Sequence, residues 1–513
     1  MTRPMPSSVA PIDDTLGDRG EARHPARASI PLIHWAGLAG YLALLAGGIV
    51  LFFLVRAWGE GLTAPATPAG ARPVGHPLHE RVNVVMHVIA TLAAVVFLGF
   101  VLGRAFRHLG QPPVIGEVIA GIMLGPSLLG AISPDTMNLL IPSPVNDPDG
   151  HVPAALRAVS QLGAILYMFL VGLELNTARL ARRAHAAVAV SHASIVVPFV
   201  LGSALALGLY PILSQEGVPF TSFALFVGAA MAITAFPVLA RILTDRKLER
   251  TELGNVALSC AAADDVTAWC MLALVVGVAQ ANIGNAARVI GGAIAFIAFM
   301  FVVVRPLVRR LIHRAEDQSG DLSPLVVSAT FLAVLLASLA TETIGIHAVF
   351  GAFLLGAVIP HDSRLARDFT TKTKDLVTVL LLPAFFAFTG MRTQINLMSG
   401  WETWLWSGAI ILVATAGKFG GSFMAARLTG LGWREAAALG TLMNTRGLME
   451  LIVLNIGLDL GIISPTLFTM MVVMALVTTA ATAPILQWLI PFDDVDRSDS
   501  GPCPSESVTV GAA

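Results

Sequence analysis

Ser259-Cys-Ala-Ala-Ala-Asp-Asp-Val-Thr-Ala-Trp269 sets two consecutive carboxylates, Asp264 and Asp265, about halfway along an apolar run from 253 to 279. A run of about 20 apolar residues crosses a bilayer as a helix. A charge at the bilayer centre costs about 2.5–3.5 kcal/mol on insertion scales, so two of them need a functional or pairing reason. An Asp-Asp pair elsewhere caps a helix or sits in a loop, but here apolar sequence extends on both sides. Consecutive helical residues point roughly 100° apart, so both carboxylates can border one cavity and still meet different neighbours. Close together and away from water, they cannot both stay ionised without a counter-charge. A carboxylate in that position takes either a proton or a hard cation.

Working outward, the whole chain matches this setting. Only 13% of its 513 residues are charged and 55% are hydrophobic, with a mean hydropathy of +0.76, so the solvent is lipid. A net charge of −1 argues against a nucleic-acid partner. Cys260, Cys270 and Cys503 lack metal-ligand spacing and read as packing residues. Nothing in the sequence asks for a cofactor. Apolar segments near 34–56, 83–105, 112–131, 156–175, 185–210, 219–243, 253–279, 287–313, 323–341, 344–360, 373–392, 404–427, 433–457 and 464–490 predict about fourteen membrane helices. The first, flanked by Trp35 and Trp58, is too long and too far from the start for a signal peptide.

Basic residues are retained on the cytoplasmic side. With the chain started inside, the predicted cytoplasmic loops hold about nineteen Lys and Arg. The predicted outer loops hold only Arg72, Arg81, Arg288 and Arg392. Both ends are then expected in the cytoplasm of a multi-pass protein of the cell (inner) membrane. Residues 1–33 and 491–513 read as disordered tails, with no soluble domain appended.

Two stretches of the chain echo each other. Val114-Ile-Gly-Glu-Val-Ile-Ala-Gly-Ile-Met-Leu-Gly-Pro126 resembles His347-Ala-Val-Phe-Gly-Ala-Phe-Leu-Leu-Gly-Ala-Val-Ile-Pro360 in its small residues and closing proline. Phe169-Leu-Val-Gly-Leu-Glu-Leu-Asn176 then answers to Phe388-Thr-Gly-Met-Arg-Thr-Gln394. Small-residue patterns recur in any packed membrane bundle, but two consecutive matches in register favour a repeat. Six spans pair with six, about 83–279 with 323–490, leaving 287–313 as connector. The second set starts after an odd number of spans, so the halves are expected to be inverted, an arrangement that binds substrate near the midplane where helices are broken.

The breaks have candidates. Pro237, in Thr234-Ala235-Phe236-Pro237, removes a backbone donor and frees polar groups near Thr234. In the matching span, Asn444, Thr445, Arg446 and Gly447 make a poor helix interior. Alone, Pro237 would signal only a kink. Lys418, inside another apolar span, is the natural counter-charge to the aspartates, although a lysine so placed can also snorkel to an interface. Arg446 and Glu450, one turn apart, are expected to pair, with Glu117 a possible third member of that ion-pair network. Glu174 and Asn176 read as interfacial, and His347 as packed.

Gly116–Pro126, Phe169–Glu174, Thr234–Arg241, Asp264–Trp269 and Asn444–Glu450, five motifs in order over about 83–490, resemble the monovalent cation:proton antiporter superfamily. That superfamily includes Kef-type potassium systems, bacterial sodium/proton antiporters, and plant and fungal cation/proton exchangers. The resemblance implies an all-α sodium/proton antiporter fold with two crossing broken helices, a dimerisation domain and a core domain, working by alternating access as a homodimer. It implies that Asp265 is the main carrier of K+ or Na+ and of H+, that Asp264 is its neighbour, and that Lys418 pairs with Asp264 as in electrogenic members; Thr234, at the first expected break, is a further candidate for binding the cation or proton. Two features depart from it: the extra span at 34–56, and the expected lack of a Kef-type nucleotide-binding domain after 490. The Asp264–Trp269 run and residues 444–463 look more like the plant and fungal exchangers, which points toward potassium. Three other readings compete: a symporter for an organic anion with Arg446 as its anchor, a channel, and a non-transporting sensor. An enzyme is not expected, since no nucleophile–base pair or metal-ligand set stands in the membrane.

Overall fold

A computed structural model describes residues 83–143, 146–174, 184–248, 251–279, 283–316 and 323–490. The helix expected at 34–56 and the tails at 1–33 and 491–513 lie outside the described residues, as does Asn176. Each of the thirteen apolar stretches expected between 83 and 490 is helical. Ten described stretches are long and apolar enough to cross a membrane.

The chain order begins with α1 (Val84–His108), α2 (Pro113–Leu124) and, after two short helical turns, α3 (His151–Glu174). Then come α4 (Ala184–Leu213), the half-helices α5 (Phe220–Ala232) and α6 (Phe236–Asp245), and α7 (Glu252–Ala279). A connector of α8 (Ile283–Phe299) and α9 (Arg305–Glu316) leads to α10 (Pro324–Ile344), α11 (Ala348–Val358), α12 (Arg364–Asp375) and α13 (Leu382–Arg392). Last are α14 (Trp401–Leu428), the half-helices α15 (Trp433–Met443) and α16 (Leu448–Asp459), and α17 (Pro465–Leu489).

Local chemistry sets several of these boundaries. Pro113, Pro324 and Pro465 each open a helix, where a missing N–H costs nothing. α3 begins five residues before the expected 156 because Asp147 caps it, accepting from the N–H groups of His151 (3.0 Å) and Val152 (2.8 Å). Those two bonds, Val152 first, hold the Asp147 carboxyl below the usual carboxylate range. Wider π turns at Met300–Val304 and Leu376–Leu381 end just before Pro306 and Pro383. A proline ring clashes with the carbonyl four residues back, and a locally widened turn relieves the clash. The expected span 373–392 is therefore the second part of a longer helical run that starts in the amphipathic α12.

Two groups of helices result. In the first, α1, α2, α3, α10, α11 and α13 pack together, and the echoing motifs explain how. Gly116 lies against the backbone of Leu102 and Gly103 in α1, and Gly351 against Ala337 in α10. A Cβ on Gly121 would overlap Ala387 of α13, and one on Gly390 would overlap Val118 of α2. A Cβ on Gly172 would overlap Phe353 of α11, and one on Gly356 would overlap Phe169 of α3. Without a hydrophobic drive in lipid, such close backbone approach is what holds membrane helices together. Each half thus supplies one glycine to its own first helix and one to the other half's third. In the second group α4 packs along α14 and α5, with α7, α15 and α17 closing around them.

Candidate functional site

The second group holds both helix breaks, and they cross. Residues 233–235 run extended between α5 and α6, and residues 444–447 separate α15 from α16. Ala235 N–H donates to Thr445 O at 3.0 Å, and Thr234 Oγ1 to Met443 O at 3.1 Å. Arg446 N–H donates to Thr479 Oγ1 of α17 at 2.9 Å, and that hydroxyl returns a bond to Arg446 O at 2.8 Å. Pro237 does not sit in the first break. It is the second residue of α6, where a proline starts a helix rather than kinks one.

A broken helix exposes two uncompensated ends within the protein: carbonyls with partial negative charge, then N–H groups with partial positive charge. The last carbonyls of α5 meet two buried cations. Arg446 donates to Ala230 O (2.9 Å) and Met231 O (2.8 Å). Lys418 donates to Ala232 O and, across to α4, to Ser194 O at 2.9 Å. Lys418 is fully buried, which rules out snorkelling. Its third donor goes to Asp264 Oδ2 at 3.0 Å.

Asp264 is saturated. Its Oδ1 accepts from Ser191 Oγ at 2.7 Å, and its Oδ2 from Ser194 Oγ and Thr234 Oγ1, each at 2.8 Å, besides Lys418. Asp265 is the opposite case. It is fully buried, and neither carboxylate oxygen has a hydrogen-bond partner among the described residues. The N–H of Phe236, at the positive end of α6, acts on it electrostatically without closing a well-formed bond.

A tally of buried charge isolates one group. Lys418 matches Asp264, and Arg446 matches Glu450 at 3.3 Å, while Asp265 is in no ion pair among the described residues. A buried carboxylate with neither donor nor counter-ion is tolerated only when it binds a proton or a cation.

The expected three-member network divides. Arg446 and Glu450 pair as expected, while the charges acting on Glu117 are those of Arg241, on α6, and Arg107. Glu174 ends α3 in an exposed pair with Lys374 at 3.5 Å. His347 caps α11, its Nδ1 facing the Val349 N–H at 3.4 Å. Ser191 and Ser194 were not singled out from the sequence. Their one signal is polar side chains three apart, hence on one face, in an apolar helix.

A pair of crossed half-helices with buried carboxylates at the crossing defines a secondary transporter built around a midplane site. The sodium/hydrogen exchanger transmembrane family profile matches residues 74–489, and the chain belongs to that family. It is 42% identical to the Na(+)/H(+) antiporter NhaS4 of Synechocystis sp. over 80% of this chain and 98% of that protein. It is 36% identical to cation/H(+) antiporter 20 of Arabidopsis thaliana over 77% of this chain and 48% of the relative. With K(+)/H(+) antiporter 1 of Saccharomyces cerevisiae it shares 33% identity over 79% of this chain and 47% of the relative. The chain thus spans about half the length of these plant and yeast relatives. Among solved structures, the sodium proton antiporter MjNhaP1 of Methanocaldococcus jannaschii shares the fold. Its TM-score is 0.57 at 15% identity, over 79% of this chain and 96% of that one.

Proposed function

We infer that the protein exchanges a monovalent alkali cation, Na+ or K+, for H+ across the membrane, with Asp265 carrying either the cation or the proton. The observation that supports this most is the contrast between neighbours: Asp264 saturated by four donors, Asp265 buried without a partner. In the cycle, protonated Asp265 faces one side, loses its proton to water and takes a cation. The helices around the crossing then shift against the group of α1–α3 and α10–α13, and the exchange reverses on the other side. Asp264 stays ionised against Lys418 and lends the site its negative field. The excess of basic residues in alternate loops supports a cytoplasmic location for both ends and an orientation in the cell membrane. The resemblance to the superfamily supports a homodimer.

An organic-anion symporter would need an uncompensated cation at the midplane. Arg446, the candidate, spends its guanidinium on Ala230 O, Met231 O and Glu450, so that reading is not favoured. The test is purified protein in liposomes with a pH dye inside. An outward Na+ or K+ gradient should drive internal acidification, and Asp265→Asn should abolish it. Wild-type vesicles whose internal pH ignores both cations would falsify the antiport reading.

A further inference from the structure

Two of the three hydroxyls around Asp264 have more acceptors than protons. Ser194 Oγ lies 2.8 Å from Asp264 Oδ2 and 2.8 Å from the carbonyl of Ser191. Thr234 Oγ1 lies 2.8 Å from Asp264 Oδ2 and 3.1 Å from the carbonyl of Met443. A hydroxyl carries one proton and two lone pairs, so each of these donates to the carboxylate or to the carbonyl at any moment. Ser191 differs: among the described residues its side-chain hydrogen bond is to Asp264 Oδ1 alone, at 2.7 Å.

We propose that Ser194 is a ligand of the transported cation, a hydroxyl rotor that turns from donor to ligand as the ion arrives. With the site free of metal, its proton serves Asp264. When a cation settles beside Asp264 and Asp265, the proton swings to the Ser191 carbonyl and the freed lone pair points at the ion. The Met443 carbonyl gives Thr234 the same two positions. Each hydroxyl keeps one donated hydrogen bond through the swing, because the receiving carbonyl is already in place, and Asp264 exchanges that donor for the ion. The oxygens assembled are those of two carboxylates and two hydroxyls from α4, α7 and the first break, a hard-donor set suited to a hard cation. Ser191 has no such swing and is a positioning residue that fixes the Asp264 carboxylate. Ser194 is fully buried, so bulk water does not substitute for it. Ion preference then depends partly on α4, through the spacing of Ser194 from the carboxylates.

This inference rests on the antiport reading and is tested apart from it. Exchange is measured in proteoliposomes while Na+ and K+ are titrated separately, for wild type, Ser194→Ala, Ser194→Thr and Ser191→Ala. Loss of one ligand is expected to raise the half-saturating cation concentration of Ser194→Ala about tenfold. Its Na+/K+ preference should change, while the maximal rate stays within a few-fold and the pH profile at saturating cation holds. Ser194→Thr, which keeps the hydroxyl, should restore affinity. In Ser191→Ala the pH profile should move instead. Cation-induced thermal stabilisation of purified Ser194→Ala, weakened by the same factor in concentration, gives a second reading independent of turnover. The proposal is overturned if folded Ser194→Ala keeps wild-type half-saturation and ion preference and shifts only its pH profile, as a hydroxyl that merely holds Asp264 would. Wild-type protein that exchanges neither ion overturns the antiport reading itself, and this inference with it.

Discussion

At Asp264, Ser191, Ser194, Thr234 and Lys418 converge on one carboxylate, while neither carboxylate oxygen of the next residue along the helix has a hydrogen-bond partner among the described residues. The pair Asp264–Lys418 is fully buried on both sides, so removing one partner strands the other. Such a loss costs about 3–5 kcal/mol, whereas replacing both partners with neutral groups is often close to neutral. Asp264→Asn and Lys418→Met should therefore each lower the melting temperature in detergent markedly, and the double variant should recover most of the loss. A double variant no more stable than the worse single one would contradict the pairing. The aspartates, Lys418, Arg446 and Glu450 were legible in the sequence because charge in an apolar span stands out. Ser191 and Ser194 were not, since a serine is cheap in a membrane helix and gives no comparable signal. The carbonyls of Ala230, Met231 and Ala232 belong to side chains with nothing to report.

The half-helices do the positioning. α5 presents its carbonyl end to Arg446 and Lys418, and α6 presents its N–H end to Asp265. Gly447 lets the second break approach α6: a Cβ there would lie 2.7 Å from Val238 Cγ2. Gly447→Ala should push α6 away from the crossing, destabilise by roughly 1–3 kcal/mol as overpacking does, and slow exchange. Unchanged melting together with unchanged exchange would show that the approach is not tight. At the start of α3 the prediction concerns pH. Asp147 titrates below the usual carboxylate range when folded, so its cap is at full strength above the unfolded value of about 3.9. It is lost as pH falls through the lower folded value. Asp147→Ala, which removes both acceptor oxygens, should speed hydrogen exchange at the amides of His151 and Val152 at neutral pH. Equal rates in variant and wild type would remove the cap from the account. The two breaks were readable from Pro237 and from Asn444–Gly447, although the proline marks the helix that follows rather than the gap. The start of α3 was missed because its first turn, with His151 and Pro153 inside it, does not read as an apolar run.

Across the whole molecule, the glycines that pair α2 with α13 and α3 with α11 make a rigid frame, and the crossing sits in the other group of helices. Among the polar contacts that join the two groups is a tie at the end of α16: Asp459 bonds Arg392 at 2.6 Å and Arg157 at 3.2 Å, while Asn455 bonds Arg392 and Thr389. The movement of one group against the other in the proposed cycle would open that tie. These partly exposed pairs are each worth little, about 0–1 kcal/mol, so Asp459→Asn should leave melting almost unchanged. It should broaden the distance distribution between spin labels at the exposed positions Phe97 of α1 and Leu207 of α4, one on each group. An unaltered distribution would mean that the tie does not restrain the motion. The repeat of small residues made this frame foreseeable, whereas the tie spans residues 302 positions apart and left no local trace. The most direct measurement of the central claim is proton release from purified, unbuffered protein as Na+ or K+ is added. If Asp265 holds either a proton or a cation, wild type should release about one proton per cation bound at a pH where the site is protonated. Asp265→Asn should release none, and Asp264→Asn should still release. Release that persists in Asp265→Asn, or cation binding by the wild type with no proton set free, would contradict it.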